Sequence, residues 1–190
     1  QAYPDKPIKA VVPFAAGSAT DQIGRAFAQK MQEALGQPII IDNKGGANGV
    51  IGAQAMLNAP PDGHTLYMAF SGFHVISPNL TKLPFDVLKD FQPVALVYMA
   101  PEVLVVRSSF NEIKNFQELV AYARANPGKL NYSSGSTAFQ VATEMLKQMT
   151  GTDLRHIPYK GSAASITAVI AGDVQLTIVD TPPLVPQIKA

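Results

Sequence analysis

The chain contains no cysteine. That excludes a disulfide framework, a thiolate nucleophile and a zinc site built on cysteine, and it is compatible with an oxidising compartment. Charge is sparse as well: 15% of the 190 residues are charged and the formal net charge is +1. A near-neutral balance offers no clustered basic face, so no nucleic-acid partner is expected. No apolar run approaches the roughly 20 residues of a membrane-spanning helix. The motifs of catalysis are missing too. The histidines, His64, His74 and His156, show no H-E-x-x-H spacing, and no metal or cofactor is expected. No serine stands in G-x-S-x-G. The glycine loop Asn43–Gly52 has neither the phosphate-loop nor the dinucleotide spacing, so it reads as a turn packed before a helix.

What is present is a core. Hydrophobic residues make up 47% of the chain, which excludes disorder, and the length allows one domain or two small ones. Short β-branched runs alternate with helical patterns. Ile8–Phe14 reads as a buried strand and Asp21–Leu35 as a helix, with Thr20 as N-cap and Gly36 as its stop. Ile23, Phe27, Met31 and Leu35 would line one apolar face. Pro38–Asp42 and Thr65–Phe70 read as strands around a helix over Val50–Ala59, and this βαβαβ order implies a parallel sheet. Ser71–Asp90 reads as a loop with short pieces at most. Pro101 interrupts the apolar runs Val94–Met99 and Val103–Val106, which suggests a linker between two lobes. Beyond it come helices over Phe116–Ala125, Thr137–Thr150 and Ala163–Ala171. Val141, Met145 and Met149 form a four-residue stripe on the second. Strands are expected over Leu130–Ser134, Leu154–Tyr159 and Val174–Val179, with a helix opening within 182–190.

Ligands in open α/β sheets bind outside the carboxyl ends of the strands. Three strand ends carry small residues: Phe14–Asp21, Phe70–Phe73 and Ser133–Thr137. Small residues let a ligand approach the backbone. A helix that follows offers unpaired N–H groups and a partial positive charge, which suit an anion. A helix cap with a tight turn explains any one junction equally well; two such junctions favour capture of one ligand. Asp21 and Asp180 can be read as acid–base groups or as helix caps. Within strand patterns, His64 and His156 read as structural. The opening Gln1-Ala2-Tyr3-Pro4 suits a mature exported protein after signal-peptide removal, or a trimmed chain.

At these residues the chain resembles the periplasmic solute-binding receptors of the tripartite tricarboxylate transporters, the Bug receptors. The matching stretches are Tyr3-Pro4-Asp5-Lys6-Pro7-Ile8, Val12–Gly17 with Asp21, and Leu35-Gly36-Gln37. Pro61–Leu66, Leu83–Asp86 and Asp90-Phe91 follow, then Asn126–Leu130, Ser133-Ser134-Gly135, His156–Gly161 and Ala171–Val174. Together they cover essentially the whole chain. The resemblance implies an α/β, type II periplasmic binding (Venus-flytrap) fold, each lobe a mostly parallel sheet flanked by helices. The first lobe would span 1–99, a hinge crossover 100–106, and the second lobe 107–190. It implies a periplasmic, non-enzymatic receptor that captures a small carboxylate or dicarboxylate and delivers it to membrane permease subunits. The first-lobe contacts would be Phe14, Ala16, Gly17, Ser18, Thr20, Asp21, Ser71 and Gly72. The second-lobe contacts would be Ser134, Gly135, Ser136, Thr137, Asp180 and Thr181.

The chain departs from the family in places. Ala15 and Ser18 replace a usual proline and glycine, His64 a tyrosine, and Lys44-Gly45 an Arg-Pro pair. Phe139-Gln140 stand where a histidine is usual, which leads us to expect a ligand with an apolar or aromatic part. Family members are longer, so the resemblance also implies a second lobe cut short at Lys189-Ala190. The first lobe would lack its C-terminal return, and an unfilled first-lobe sheet edge and exposed apolar surface would follow, with association or weak stability. Two other readings stay open: the effector-binding domain of a transcription regulator, which shares the two-lobed fold, and an enzyme using Asp21 or Asp180 with a serine.

Overall fold

A computed structural model describes residues 3–110 and 113–188. Gln1, Ala2, Lys189 and Ala190, on which the readings of the two termini partly rest, lie outside the described residues. The chain forms two compact units, Gln1–Met99 and Ala100–Ala190.

The first unit is built on β1 (Ile8–Val12), which pairs in parallel with β2 (Ile39–Asn43) on one side and β3 (Thr65–Tyr67) on the other. The order is β2-β1-β3. As the central strand, β1 buries Ile8, Ala10, Val11 and Val12, the continuous apolar run of a strand covered on both faces. Helix α1 (Ala19–Leu35) connects β1 to β2. Its N-cap is Ser18, not the expected Thr20: Ser18 is extended and its Oγ accepts from the Asp21 N–H at 3.3 Å. At the other end Gly36 takes a left-handed φ of 70°, and its N–H donates to Gln32. The buried face of α1 is also not the expected one. Ala19, Asp21, Gly24 and Ala28 face inward, and a Cβ added to Gly24 would lie 3.6 Å from Val12. Phe27 and Leu35 are exposed. Small residues let helix and sheet approach closely, and that outweighs the side-chain size of the Ile23–Leu35 stripe.

A 3₁₀ turn (Ala47–Gly49) opens α2 (Val50–Leu57). Gly52 explains the glycine loop: a Cβ there would stand 3.0 Å from the Lys44 carbonyl and 3.2 Å from Pro13 Cα. The loop is a close-packing device. Strand β3 ends at Tyr67, short of the expected Phe70. A π-helical turn (Gly72–Ile76) and α3 (Ser77–Leu80) follow. Buried Ala53, Phe73, Val87 and Phe91 form a core cluster of this unit, with Tyr67, Phe70 and Phe85 packed on it. The apolar run Val94–Met99 has no regular structure, and Val94, Leu96 and Met99 are exposed.

The second unit carries a four-stranded sheet in the order β4-β7-β5-β6. Its strands are β4 (Glu102–Val106), β5 (Leu130–Ser134), β6 (Leu154–Pro158) and β7 (Leu176–Asp180). β5 pairs in parallel with β6 and β7, and β4 runs antiparallel to β7. The segment read as a hinge crossover, 100–106, thus carries an edge strand of this sheet, entered directly after Pro101. Helices α4 (Phe116–Ala125), α5 (Thr137–Thr150), α6 (Ser162–Ala171) and the short α7 (Val185–Ile188) complete the unit. The Val141–Met149 stripe of α5 is not its buried face either: Met145 and Met149 are exposed, and Thr143 is buried in their stead, its hydroxyl donating to the Phe139 carbonyl. The main core gathers Leu119, Ala123, Leu130, Tyr132, Leu154 and Leu176.

Candidate functional site

In the first unit the β1–α1 loop is pinned from below by one acid. Asp21 is buried. Its Oδ2 accepts from the Gly17 N–H at 2.9 Å and from Arg25 Nε at 3.0 Å, and its Oδ1 accepts from Asn43 Nδ2 at 2.9 Å. The same Asn43 amide donates to the Phe14 carbonyl at 3.0 Å, which ties both ends of the loop to the end of β2. Burial works against ionisation of Asp21, but the Arg25, Gly17 and Asn43 donors outweigh it and hold the carboxyl below the usual range. The chemistry of Asp21 is therefore spent within its own unit, as is the Ser18 hydroxyl that caps α1. Ala16 and Gly17 are exposed. Gly17 has a φ of 84°, and an added Cβ would meet nothing within 4 Å; its N–H is held by Asp21 and its carbonyl accepts from Gln22 Nε2 at 3.0 Å. Thr20 is half-buried. Phe14, also half-buried, packs on Phe70 at 4.6 Å between ring centroids. Ser71 is exposed, while Gly72 is buried and its carbonyl accepts from Ser77 Oγ.

In the second unit the carboxyl ends of β5, β6 and β7 meet the N-termini of α5 and α6. Ser134 closes β5, buried, with its carbonyl accepting from the Tyr159 N–H at 2.9 Å. Gly135 has no room for a side chain: an added Cβ would lie 2.2 Å from the carbonyl carbon of Gly161. The Gly161 N–H donates to the Gly135 carbonyl at 3.1 Å, so the β5–α5 and β6–α6 loops interlock through backbone. Ser136 caps α5 by accepting from the Phe139 N–H. Thr137 is buried as the first helical residue. Asp180 ends β7, and its buried Oδ1 has no partner among the described residues. Burial raises it above the usual carboxylate range, against the pull of its own N–H and of Ser162. Directly across the β4–β7 register stands Glu102, raised by partial burial and then by the charge on Asp180. Thr181, half-buried, borders a shallow apolar groove with Val103, Val105, Leu184, Val185 and Ile188. Phe139 packs against Ile166, Val179 and Leu184.

The residue that sequence reasoning missed is His156. Its Nε2 lies 2.6 Å from Ser134 Oγ. The two are paired through the sheet: β5 and β6 run in register with Tyr132 beside His156 and Ser134 beside Pro158. The spacing of His156 from the end of its strand carried the signal, but only the pairing of β5 with β6 makes it legible. No group of three or more His, Cys, Asp or Glu among the described residues is arranged to hold a metal ion, and no described helix is long and apolar enough to cross a membrane.

Comparison with known proteins shows the family. A family model described as the tripartite tricarboxylate transporter family receptor matches residues 23–190. The chain is 33% identical over 192 residues to the protein BugT of Bordetella pertussis, covering 99% of this chain and 59% of that one. Among solved structures, the R. palustris protein Rpa4515 with adipate superposes with a TM-score of 0.94 at 32% identity, over 99% of this chain and 64% of that one. MatC from Rhodopseudomonas palustris, with bound malate, superposes with a TM-score of 0.86 at 29% identity, over 98% and 64%. The chain thus spans less than two thirds of the relatives it matches. The relatives are receptors, not enzymes, and the structural neighbours include the periplasmic binding protein BugD. On the family match and these identities, the chain belongs to the receptor family of the tripartite tricarboxylate transporters.

Proposed function

We propose that this chain binds a small carboxylate or dicarboxylate in the periplasm, as part of a receptor that hands its ligand to membrane permease subunits. The observation that carries the reading is the Ser134–Thr137 junction. A buried serine and a glycine that admits no side chain lead into a helix of 14 residues, whose opening N–H groups have no intrahelical acceptors. Such a junction neutralises a carboxylate with oriented dipoles rather than with a buried cation. The exposed loop around Ala16 and Gly17, shaped by Phe14, Ser18, Thr20 and Asp21, with Ser71 and Gly72 directly after the Phe70 that packs on Phe14, supplies the first unit's contribution. Ser136, Asp180 and Thr181 complete the second unit's. The adipate and malate bound by Rpa4515 and MatC make aliphatic dicarboxylates the first ligands to try.

Isothermal titration with adipate, malate and aromatic monocarboxylates tests the proposal. Saturable binding to at least one is expected, and Ser134→Ala should weaken it by about 1 kcal/mol. Binding to none of them would overturn the carboxylate reading. An unchanged dissociation constant in Ser134→Ala would remove Ser134 from the site. A preference for short, highly polar acids would overturn the expectation of an apolar or aromatic ligand part drawn from Phe139-Gln140.

A further inference from the structure

We propose that His156 sets the polarity of Ser134: its Nε2–H donates to Ser134 Oγ, which leaves the serine hydroxyl proton free for a ligand carboxylate. The use of that proton rests on the carboxylate reading above; the direction of the bond does not.

A single proton lies along the 2.6 Å Oγ···Nε2 contact, and either group can supply it. If Ser134 supplies it, the hydroxyl offers an approaching carboxylate only lone pairs, and the two repel. If the imidazole supplies it, Ser134 keeps a donor. The surroundings decide between the two tautomers. Among the described residues none accepts a hydrogen bond from Nδ1 of His156, so nothing anchors the proton there. Glu144 is the acid near enough to affect His156, and it is already engaged. It accepts from the Tyr132 hydroxyl at 2.6 Å and from Lys147 Nζ at 3.0 Å. The Tyr132 ring stacks on the imidazole at 4.9 Å between centroids. This fixes the plane of the ring and leaves the Ser134 rotor as the one adjustable part. Burial of the ring is the largest influence and opposes protonation, Glu144 favours it and the cation Lys147 opposes it, so that the imidazole is held below its usual range. A protonated imidazole would still donate from Nε2, so acid leaves the direction of the bond intact.

His156 is thus a positioning residue. It acts on the ligand through Ser134, and a merely structural role predicts different results in two measurements. The first needs no ligand. Ring-nitrogen NMR of the free protein at neutral pH should show the proton on Nε2 of His156; a proton on Nδ1 would overturn the inference. The second is titration with adipate and malate of His156→Gln, which keeps an amide donor, and His156→Phe, which keeps the ring stacked on Tyr132 but donates nothing. Affinity should fall in His156→Phe by up to the roughly fivefold that about 1 kcal/mol at Ser134 represents and stay within about twofold of the wild type in His156→Gln. Adding His156→Phe to Ser134→Ala should cost nothing more. Equal losses in both variants, with thermal unfolding unchanged, would overturn the inference, as would a His156→Phe loss that persists without the serine hydroxyl. If the wild type bound neither acid, the carboxylate reading would fall while the tautomer still decided the polarity.

Discussion

Two acids, Asp21 in the first turn of α1 and Asp180 at the end of β7, behave oppositely. Asp21 accepts three hydrogen bonds and pins a loop. Asp21→Asn places an amide donor among the Gly17, Arg25 and Asn43 donors. It should cost about 2 kcal/mol of stability in urea unfolding, since buried donors are left without an acceptor; a cost near zero would show that the loop does not depend on the acid. Because its folded-state ionisation lies below the usual carboxylate range, Asp21 stabilises the fold above that range. The contribution is lost as pH falls through the lowered folded value. Asp180 works in the other sense. It is raised by burial, so the folded state holds its proton more tightly than the unfolded chain does. Ionisation therefore subtracts stability once pH rises past the usual range. Asp180→Asn should raise Tm at pH 7, with the gain vanishing in acid below that range. A lower Tm at pH 7 would mean that the Ser162 hydrogen bond to the ionised form outweighs burial. Sequence pattern placed each acid at the end of a strand or loop, but its surroundings depended on a residue 22 positions away in one case and on the opposing strand in the other.

At the scale of elements, loops are positioned by contacts that leave no room. Gly135 and Gly161 meet backbone to backbone, joining two loops that are 26 residues apart in sequence. Gly135→Ala should destabilise the chain by about 3 kcal/mol or more, because neither backbone can give way, and chemical denaturation measures it. Retained stability would mean that the β6–α6 loop can swing aside. Ser18→Ala removes the α1 cap and should cost about 1 kcal/mol in the same assay. The limits of α4 and α5 were legible because side-chain oxygens of Asn115 and Ser136 cap them at their starts. The buried face of α1 was not. Four-residue spacing is shared by Ile23–Leu35 and by the Gly24–Ala28 face, and hydrophobic size pointed to the wrong one. Close approach to the sheet selects the small residues, and approach distance is a property of two elements together.

For the molecule as a whole, the first unit carries a surface that its own core does not absorb. Leu88 and Val94 are each 83% exposed, Leu96 78% and Met99 80%. A run of exposed large apolar side chains drives association. Sedimentation velocity should show mass increasing with protein concentration, and Val94→Lys with Leu96→Lys should shift the chain toward monomer. A concentration-independent monomer in the wild type would show that the run folds onto its unit in solution. The motifs along 3–174 that carry the family resemblance are spread over both units, which is why membership could be read before any contact was known.

Apart from β4, the π-helical turn and α3, the order of strands and helices was legible along the chain, as were the junctions with small residues, because each depends on neighbours a few positions apart. Tertiary structure alone decided which face of α1 is buried, which acid is partnered, why Gly135 tolerates no side chain, and that His156 reaches Ser134. Each of these depends on atoms brought together by sheet pairing or helix docking across 12 or more residues of sequence, and local periodicity does not encode the distances at which those pieces meet.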